Sequence, residues 1–580
     1  MKYIPILLIV AITAFSGTIH PDLQDLMQTS EGTELIPVFI LVKGELDTDW
    51  VDAVSVGMRR GERQEFVVDA LKDIADVSQA GVISELELYT PENVSNIVSL
   101  WLANAVYCEA APAVIRDIAS RNDITLIDRA AHPDAGLIYP YNVRDATPEE
   151  LDKAITWSVT LINADDVWAL GYDGSGVIVG VIDTGTDYNH MDLHNNMWHD
   201  TAAGYHYGWD FFDGDNDPMD DYGHGTHCSG SVLGDGSEGT QTGVAPGATC
   251  MALRINYYSG GEYTWIQAME FGTDNGAAVL SMSLGSGQGN TTLRTAEENL
   301  LTAGVLHSVA AGNHPPGPST ILSSGDSPPP WFHPDQIYHG GQSAVVTVGA
   351  TNSSDVIASF SNYGPVNWWS DYNSTNPLID PDICGPGVDV FSTQWGGGYT
   401  TMSGTSMATP HLAGVVALIL DANPTLSVAQ IDSIIEITSV ELGASGKDNY
   451  YGAGRVDALA AVQAALSMVG IADGPQGIDP EGILISSINP NPVHDLASFE
   501  IYTESPGKTL MTDFTMVQAG SLLKANGGYL IMEIESVLMN PYVWEALKRA
   551  LQNKLLFIED LASGLGMGTS SLRPEPISLD

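Results

Sequence analysis

Three short segments of this chain each place a residue suited to nucleophilic catalysis beside glycine. Asp183 ends the sequence VGVID and is followed by TG, His224 lies in GHGTH, and Ser406 lies in GTSMATPH. A serine hydroxyl becomes a good nucleophile when a base removes its proton, and histidine suits this task because its pKa lies near neutrality. A carboxylate can fix the imidazole tautomer and stabilise its charged form. The three segments therefore predict a covalent hydrolytic mechanism.

The elements around these residues predict how they are positioned. Asp183 follows an apolar run at 177–182 that is typical of a buried strand, and the next two residues break it. In open α/β sheets, sites form at the carboxyl ends of the strands. Small residues after His224 favour a buried helix, and Ser406 precedes an apolar helical run at 407–420. A nucleophile at a helix amino terminus gains from the dipole and from free N–H groups.

The order Asp, His, Ser within these motifs resembles the subtilisin-like serine proteases (subtilases) over residues of about 150–470. The resemblance implies an α/β fold with a subtilisin-like parallel sheet and helices on both faces. It also implies a serine endopeptidase that acts on peptide and protein substrates through an acyl-enzyme intermediate. The triad would then be Asp183, His224 and Ser406.

A fourth family motif implies a stabiliser for the oxyanion. An apolar run at 306–311 ends in Gly312 and Asn313. It resembles the subtilase strand whose asparagine amide faces the developing negative charge, so Asn313 takes that role beside the backbone N–H of Ser406. All four residues are present, whereas an inactive relative would be expected to lack at least one. The alternative is a catalytically inactive subtilase-like binding module.

Substrate binding also has a counterpart in the sequence. The stretch SMSLG at 281–285 resembles the family's edge segment, which pairs with extended peptide by strand addition. Ser283, Leu284 and Gly285, together with Gly312, are therefore expected to contact substrate. The small residues around Gly312 predict an open, apolar specificity pocket. The Pro/Gly-rich insertion at 314–344 is expected to form a surface loop near the cleft.

Five acidic residues precede the histidine motif and suggest a calcium site. Their spacing would let the loop curl around one hard cation, and similar loops bind calcium in some subtilases. The alternative is a solvated acidic loop. The residues are Asp213, Asp215, Asp217, Asp220 and Asp221.

Residues 33–130 are predicted to form a small ferredoxin-like α+β unit that precedes the catalytic domain at 150–470. Its position resembles the inhibitory propeptide of subtilases, which acts as an intramolecular inhibitor and chaperone, and the alternative is a generic accessory domain. The turn-prone stretch at 132–156 is the predicted region of self-cleavage. The β-α-β-β-α-β order is drawn from 36–42, 62–77, 82–89, 98–107, 111–120 and 124–128.

The amino-terminal sequence predicts secretion, and the subtilase resemblance implies a bacterial-type zymogen. Residues 1–17 combine one lysine with a short apolar run and are typical of a signal peptide, and no later segment predicts a membrane span. The net charge of −51 argues against nucleic-acid and anionic-membrane partners. Of four cysteines, three lie beyond the propeptide, so at least one is expected to be free or to form an intermolecular bond. Cys228 resembles the free cysteine near the catalytic histidine of proteinase K-like subtilases, or is simply a small buried hydrophobe.

The part of the chain beyond residue 470 differs from the catalytic part in its composition and in the families that it resembles. A linker is expected at 471–484, and 485–505 resembles the opening of the β-sandwich sorting domains of secreted bacterial proteins, which implies an incomplete domain of that type. Residues 507–580 resemble a fragment of a Lon-like ATP-dependent protease, within its AAA+-type α/β module, and 529–533 resembles a Walker B strand. The complete phosphate-binding loop is missing, so no ATP cofactor is expected. The alternatives are a chimera, an inactive partner-binding tail and an ATP-dependent protease component.

Overall fold

The computed structural model describes residues 17–468, except 31, 134, 315–316 and 369, and the backbone of four short strands further on. The chain divides into two compact units, at 1–472 and 473–580. The predicted signal peptide, linker and sorting-domain start lie outside the described residues, apart from residue 17.

The amino-terminal part of the first unit is a five-stranded sheet with helices packed against it. Its strand order is β1-β5-β2-β4-β3, and the four strands after β1 have the antiparallel topology expected of a ferredoxin-like unit. The elements are β1 (Thr18–Ile19), α1 (Pro21–Thr29), β2 (Ile36–Val42), α2 (Thr48–Val54), α3 (Arg60–Leu86), β3 (Val94–Leu100), β4 (Ala105–Ala110), α4 (Pro112–Ala119) and β5 (Ile124–Arg129).

Two predicted elements of this part were wrong. The strand expected at 82–89 is the last part of α3, where Val82 and Leu86 lie four residues apart on the buried face of the helix. The single strand expected at 98–107 is a hairpin, since a turn separates β3 from β4. The overall β-α-β-β-α-β order is still correct, because the hairpin supplies the strand that α3 replaces.

The next part contains a seven-stranded parallel sheet of order β11-β12-β8-β13-β15-β16-β17. Its elements, listed with the short strands and helices around them, are β6 (Gly136–Leu137), β7 (Tyr141–Asp145), α5 (Pro148–Leu151), α6 (Trp157–Leu161), α7 (Ala164–Ala169), β8 (Ile178–Asp183), β9 (His199–Asp200), β10 (Tyr205–His206), β11 (Gly208–Asp210), α8 (His224–Leu233), β12 (Thr249–Arg254), α9 (Glu262–Asp274), β13 (Val279–Met282), β14 (Leu284–Gly285), α10 (Thr291–Ala303), β15 (Leu306–Ala310), β16 (Val345–Thr351), β17 (Ile383–Pro386), β18 (Val390–Thr393), β19 (Tyr399–Ser403), α11 (Thr405–Ala422), α12 (Val428–Ile437) and α13 (Ala458–Ser467).

Helices cover both faces of this sheet, as the fold class predicted. Helix α11 packs on β13, β15 and β16, while α9 packs on β8 and β12. Both faces of β13 are buried, since the adjacent residues Val279 and Leu280 belong to separate hydrophobic clusters. This two-sided burial explains the continuous apolar runs in the strands. Helix α11 is long and apolar enough to cross a membrane, but 89% of it is buried, so it is a core helix.

The second unit is described only through four strands. β20 (Thr509–Met511) pairs in parallel with β21 (Tyr529–Ile531). β22 (Leu555–Leu556) pairs antiparallel with β23 (Ile577–Ser578). The stretch at 529–533, predicted to be a Walker B strand, therefore begins with β21.

Candidate active site

Asp183 and His224 form a buried pair at the carboxyl end of β8, an interior strand of the parallel sheet. The His224 Nδ1 atom lies 2.8 Å from Oδ1 and 3.0 Å from Oδ2 of Asp183. Both side chains are at most 1% exposed. Helix α8 approaches the loop after β8 so closely that a Cβ at Gly225 would lie 2.1 Å from the carbonyl oxygen of Gly185. This close approach therefore requires glycine at position 225. Because Asp183 binds Nδ1 of His224, Nε2 is the ring atom available for chemistry.

Asp220 holds the amino terminus of α8 in place. Its carboxylate accepts hydrogen bonds from the backbone N–H groups of Tyr222, Gly223 and Thr226. It also accepts from the hydroxyls of Thr184 and Thr226, at 2.8 and 2.6 Å. Burial raises the pKa of Asp220 above its ordinary value. Asp220 thereby links the loop after β8 to the start of the histidine helix.

Ser406 is the second residue of α11, which begins directly after Gly404. Its side chain is fully buried, and its hydroxyl donates a hydrogen bond of 3.1 Å to the carbonyl oxygen of Ile138. The Nε2 atom of His224 has no hydrogen-bond partner among the described residues. The Ser406 hydroxyl thus bonds to a segment of the same chain rather than to the imidazole. Catalytic hydrogen bonds are often formed only in the productive complex.

Asn313 follows β15 and is fixed through its amide oxygen. Both the backbone N–H and the hydroxyl of Thr405 donate to that oxygen, each at 2.9 Å. The amide nitrogen is therefore free to point into the cleft, where it donates to the carbonyl oxygen of Tyr139 at 3.2 Å. Sequence reasoning did not identify Thr405 as the residue that orients Asn313, although it lies within the serine motif.

The residues expected to bind substrate line a cleft next to Ser406, and residues 136–139 of the same chain occupy this cleft. Leu284 and Gly285 form β14, which pairs antiparallel with β6. Ser283 lies beneath them, and its hydroxyl donates to the backbone oxygen of Ser406 at 3.0 Å. Gly312 precedes Asn313 with a φ of +111°, a conformation that favours glycine. The structure therefore brings these residues together with the three triad candidates.

Cys228 lies one helical turn after the histidine, inside the site. Its Sγ is 3.8 Å from His224 Nδ1 and 3.5 Å from the backbone oxygen of Ser406. Burial and the Asp183 carboxylate raise the pKa of this thiol well above its usual value. The thiol is therefore neutral and packs as a small buried group. Among the described residues all four cysteines are free.

The acidic loop at 210–221 does not fit the expected calcium site of five carboxylates. Arg254 donates to Asp213 at 2.8 Å and to Asp221 at 2.9 Å, and it also contacts Asp210. Asp220 points away into the buried contacts with α8. Asp217 accepts from a tyrosine hydroxyl at 2.6 Å. A guanidinium cation therefore lies between two of the proposed ligands, and two others have different partners.

The amino-terminal sheet packs closely against helix α9 of the catalytic part. Tyr107 of β4 stacks on Tyr263 of α9, with ring centroids 4.2 Å apart. The Glu270 carboxylate, also on α9, accepts from the backbone N–H of Leu102 at 2.8 Å. Burial raises the pKa of Glu270 to about 8, although backbone hydrogen bonds from the β3–β4 turn oppose this shift.

Comparisons with known proteins agree with this fold and site. The model of the Subtilase family matches residues 174–454. Subtilisin DY of Bacillus licheniformis is 35% identical over 313 residues, which cover 54% of this chain and 100% of that protein. Subtilisin E of Bacillus subtilis (strain 168) is 33% identical over 326 residues, 56% of this chain and 75% of that protein. The chain therefore belongs to the subtilase family, and it is a serine-type endopeptidase.

Two further matches concern the regions outside the catalytic part. Bacillopeptidase F of Bacillus subtilis (strain 168) is 29% identical over 463 residues, covering 72% of this chain and 30% of that protein. The model of a LonB-like AAA domain matches residues 488–580. The resemblance of the carboxyl-terminal part to a Lon-like protease is thus confirmed, and the match begins before the boundary predicted at 507.

Proposed function

We propose that this chain is the secreted precursor of an endopeptidase that hydrolyses peptide bonds through Asp183, His224 and Ser406. The observation that carries the proposal is the contact of the Ser406 hydroxyl with a peptide carbonyl in the cleft, beside a buried Asp–His pair. In this mechanism His224 Nε2 takes the serine proton while Oγ attacks the carbonyl carbon. Asp183 holds the proton on Nδ1 and stabilises the imidazolium.

The oxyanion that forms on attack would be bound by two N–H groups. One is the Asn313 amide, which already donates into the cleft, and the other is the backbone N–H of Ser406 at the start of α11. Collapse of the tetrahedral intermediate expels the amine, which takes the proton from His224 and leaves an ester on Ser406. Water then attacks the ester, with His224 again the base, and releases the acid.

A labelling experiment tests the triad. A fluorophosphonate probe should react with the processed wild-type enzyme at Ser406, as located by peptide mass spectrometry, and casein should be cleaved. Ser406→Ala should neither react nor cleave. A wild-type protein that folds, binds peptide and fails to react with the probe would instead support the inactive binding module.

The amino-terminal unit at 33–130 is proposed to inhibit and chaperone the catalytic domain at 150–470. Support comes from the buried contacts between the two, in which Gln64 donates to the backbone oxygens of Thr273 and Ala277 at 2.8 and 3.0 Å. These contacts lie beside the β3–β4 turn bound by Glu270. Mixing the separately expressed unit with processed enzyme should reduce casein hydrolysis, and no reduction would leave it an accessory domain.

Secretion is part of the proposal and relies on the apolar sequence within 1–17. The tail at 507–580 is proposed to be unnecessary for proteolysis and unable to hydrolyse ATP, because its motif at 507–509 lacks the first glycine of a phosphate-binding loop. Calcium binding at the 213–221 loop is not part of the proposal, because Arg254 pairs with Asp213 and Asp221.

A further inference from the structure

A segment of the chain itself occupies the cleft in the manner of a substrate. Gly136 pairs with Gly285 and Leu137 with Leu284 in an antiparallel register. On the other side, the backbone N–H of Leu137 donates to the oxygen of Tyr257 at 3.2 Å. The segment is therefore hydrogen-bonded on both sides, as an extended peptide would be.

The register of this pairing identifies one peptide bond. Ile138 is the next residue after the pair Leu137–Leu284, so it reaches the position opposite Ser283. Its carbonyl oxygen is the one that accepts the Ser406 hydroxyl at 3.1 Å. The Asn313 amide contacts the following carbonyl, that of Tyr139. The strand register and the serine contact thus both select the carbonyl of Ile138. The Asn313 amide nitrogen, which lies on the next carbonyl, would have to turn to the Ile138 oxygen during attack.

The bond one residue later fits less well. A shift of one residue in a strand turns every side chain to the opposite face, so it would remove Ile138 from its present contacts. The bond after Tyr139 also leads to Pro140, whose nitrogen carries no hydrogen. The segment as paired therefore presents the bond between Ile138 and Tyr139.

The Ile138 side chain fills a pocket whose floor comes from the Pro/Gly-rich insertion. Ile138 is 5% exposed and packs with Ala310 and Leu322. Leu322 lies against two glycines of the pocket walls, since a Cβ at Gly285 would lie 2.5 Å from it and one at Gly312 3.0 Å. The small wall residues alone predict an open pocket. Leu322 takes up part of that space.

We propose, on the basis of the proposed function, that the precursor cuts itself between Ile138 and Tyr139, and that Leu322 restricts the pocket to aliphatic side chains. Ser406 Oγ forms an ester with the Ile138 carbonyl carbon while the bond to the Tyr139 nitrogen breaks. That nitrogen receives the serine proton through His224. Water then hydrolyses the ester and regenerates the hydroxyl, leaving Ile138 as a carboxyl terminus and Tyr139 as an amino terminus.

The cleavage site is tested with the full-length chain. Amino-terminal sequencing and intact mass should place the first new terminus at Tyr139, and Ser406→Ala should stay uncut. A first terminus elsewhere within 132–156, in protein that still cuts itself, would overturn the assignment of the bond. Absence of both cutting and fluorophosphonate labelling in folded wild-type protein would instead contradict the proposed function.

The pocket is tested by enlarging the side chain at position 138 and shortening the one at position 322. Ile138→Val should be cut normally, whereas Ile138→Phe should be cut about 10-fold or more slowly, because the larger ring exceeds the pocket. Adding Leu322→Ala should restore cutting of Ile138→Phe. Melting temperatures of the Ser406→Ala forms of these variants would show that each precursor folds. Failure of Leu322→Ala to restore cutting in a folded precursor would contradict the role of Leu322.

Processed enzyme provides a second measurement that does not depend on precursor folding. With peptides that differ only in the residue before the cut bond, Leu322→Ala should raise the ratio of kcat/KM for Phe over Ile by about 10-fold. Ile337→Ala is the matched control, because Ile337 belongs to the same insertion and is 96% exposed. An unchanged ratio in Leu322→Ala, or an equal change in Ile337→Ala, would overturn the proposal.

Discussion

Asn313 and Thr405 form a pair in which one side chain sets the direction of the other. The Thr405 backbone N–H and hydroxyl both donate to the Asn313 amide oxygen at 2.9 Å, so the amide nitrogen must face the cleft. Neither residue is more than 8% exposed. The donor that we propose for the oxyanion is therefore already oriented before any external substrate enters the cleft.

Substitutions of the proposed catalytic residues and of Thr405 should reduce turnover to different extents. Ser406→Ala or His224→Ala should reduce kcat by about 10⁶-fold, leaving the contribution of the oxyanion donors. Asn313→Ala should cost about 10²–10³-fold. Thr405→Val should mainly lower kcat rather than raise KM, because it removes one of the two hydrogen bonds that orient the Asn313 amide, and Thr405→Ser should retain activity. Equal kcat in Thr405→Val and wild type would contradict the positioning role.

Removal of the Asp220 carboxylate should markedly lower the free energy of unfolding. Asp220→Ala leaves several buried N–H and hydroxyl groups without an acceptor, and each such group costs about 1–3 kcal/mol. Urea unfolding of the Ser406→Ala form should therefore show a large loss of the free energy of unfolding. Asp215→Ala, in the exposed part of the same loop, is the control. Similar small losses for both would show that Asp220 is an ordinary loop acid.

The contacts of Arg254 predict that the acidic loop does not respond to calcium. Any shift in melting temperature between calcium and a chelator should be the same in wild type and in Asp213→Asn/Asp221→Asn. Arg254→Met should lower the melting temperature under both conditions, because it leaves the Asp210 carboxylate buried without its cation. A calcium-induced shift that disappears in the double variant would show that this loop holds the ion.

Docking of the amino-terminal unit should weaken as pH rises. Burial raises the pKa of Glu270 to about 8 in the docked state, while a solvated glutamate titrates near 4.3. A proton is thus bound on docking, so this contribution is complete below about pH 4 and is lost as pH rises through about 8. The dissociation rate of the cleaved unit, measured between pH 5 and 9, should increase with pH. In Glu270→Gln the increase should be much smaller, and an unchanged pH profile would contradict the assignment.

The tail should be dispensable for proteolysis. A chain that ends near residue 470 should cleave casein as fast as the full-length chain, because every residue proposed for catalysis lies in the first unit. Neither form should hydrolyse ATP, and ATP should not change casein cleavage. Loss of activity on truncation, or stimulation by ATP, would make the LonB-like part a working domain of this protease.

The chemistry and the general fold could be predicted from the sequence, because both depend on local patterns. The apolar runs before Asp183 and Asn313 are strands since their residues are buried on both faces, and the glycine-flanked motifs lie at the strand and helix ends, where sites form. The family resemblance, the fold class and the endopeptidase class were confirmed. The error at 82–89 arose because alternation and helical spacing overlap in a short apolar stretch.

Only the tertiary structure decided which residues far apart in the chain meet. The spacing of the acidic loop is compatible with an ion, but Asp213 and Asp221 pair with Arg254, more than 30 residues later, and Asp220 binds the amino terminus of the histidine helix. Likewise, no local pattern connects Ile138 with Leu322 and Ser406. Local residue types determined the available chemistry, whereas the choice of cleavage bond and pocket depends on long-range packing, which sequence periodicity does not encode.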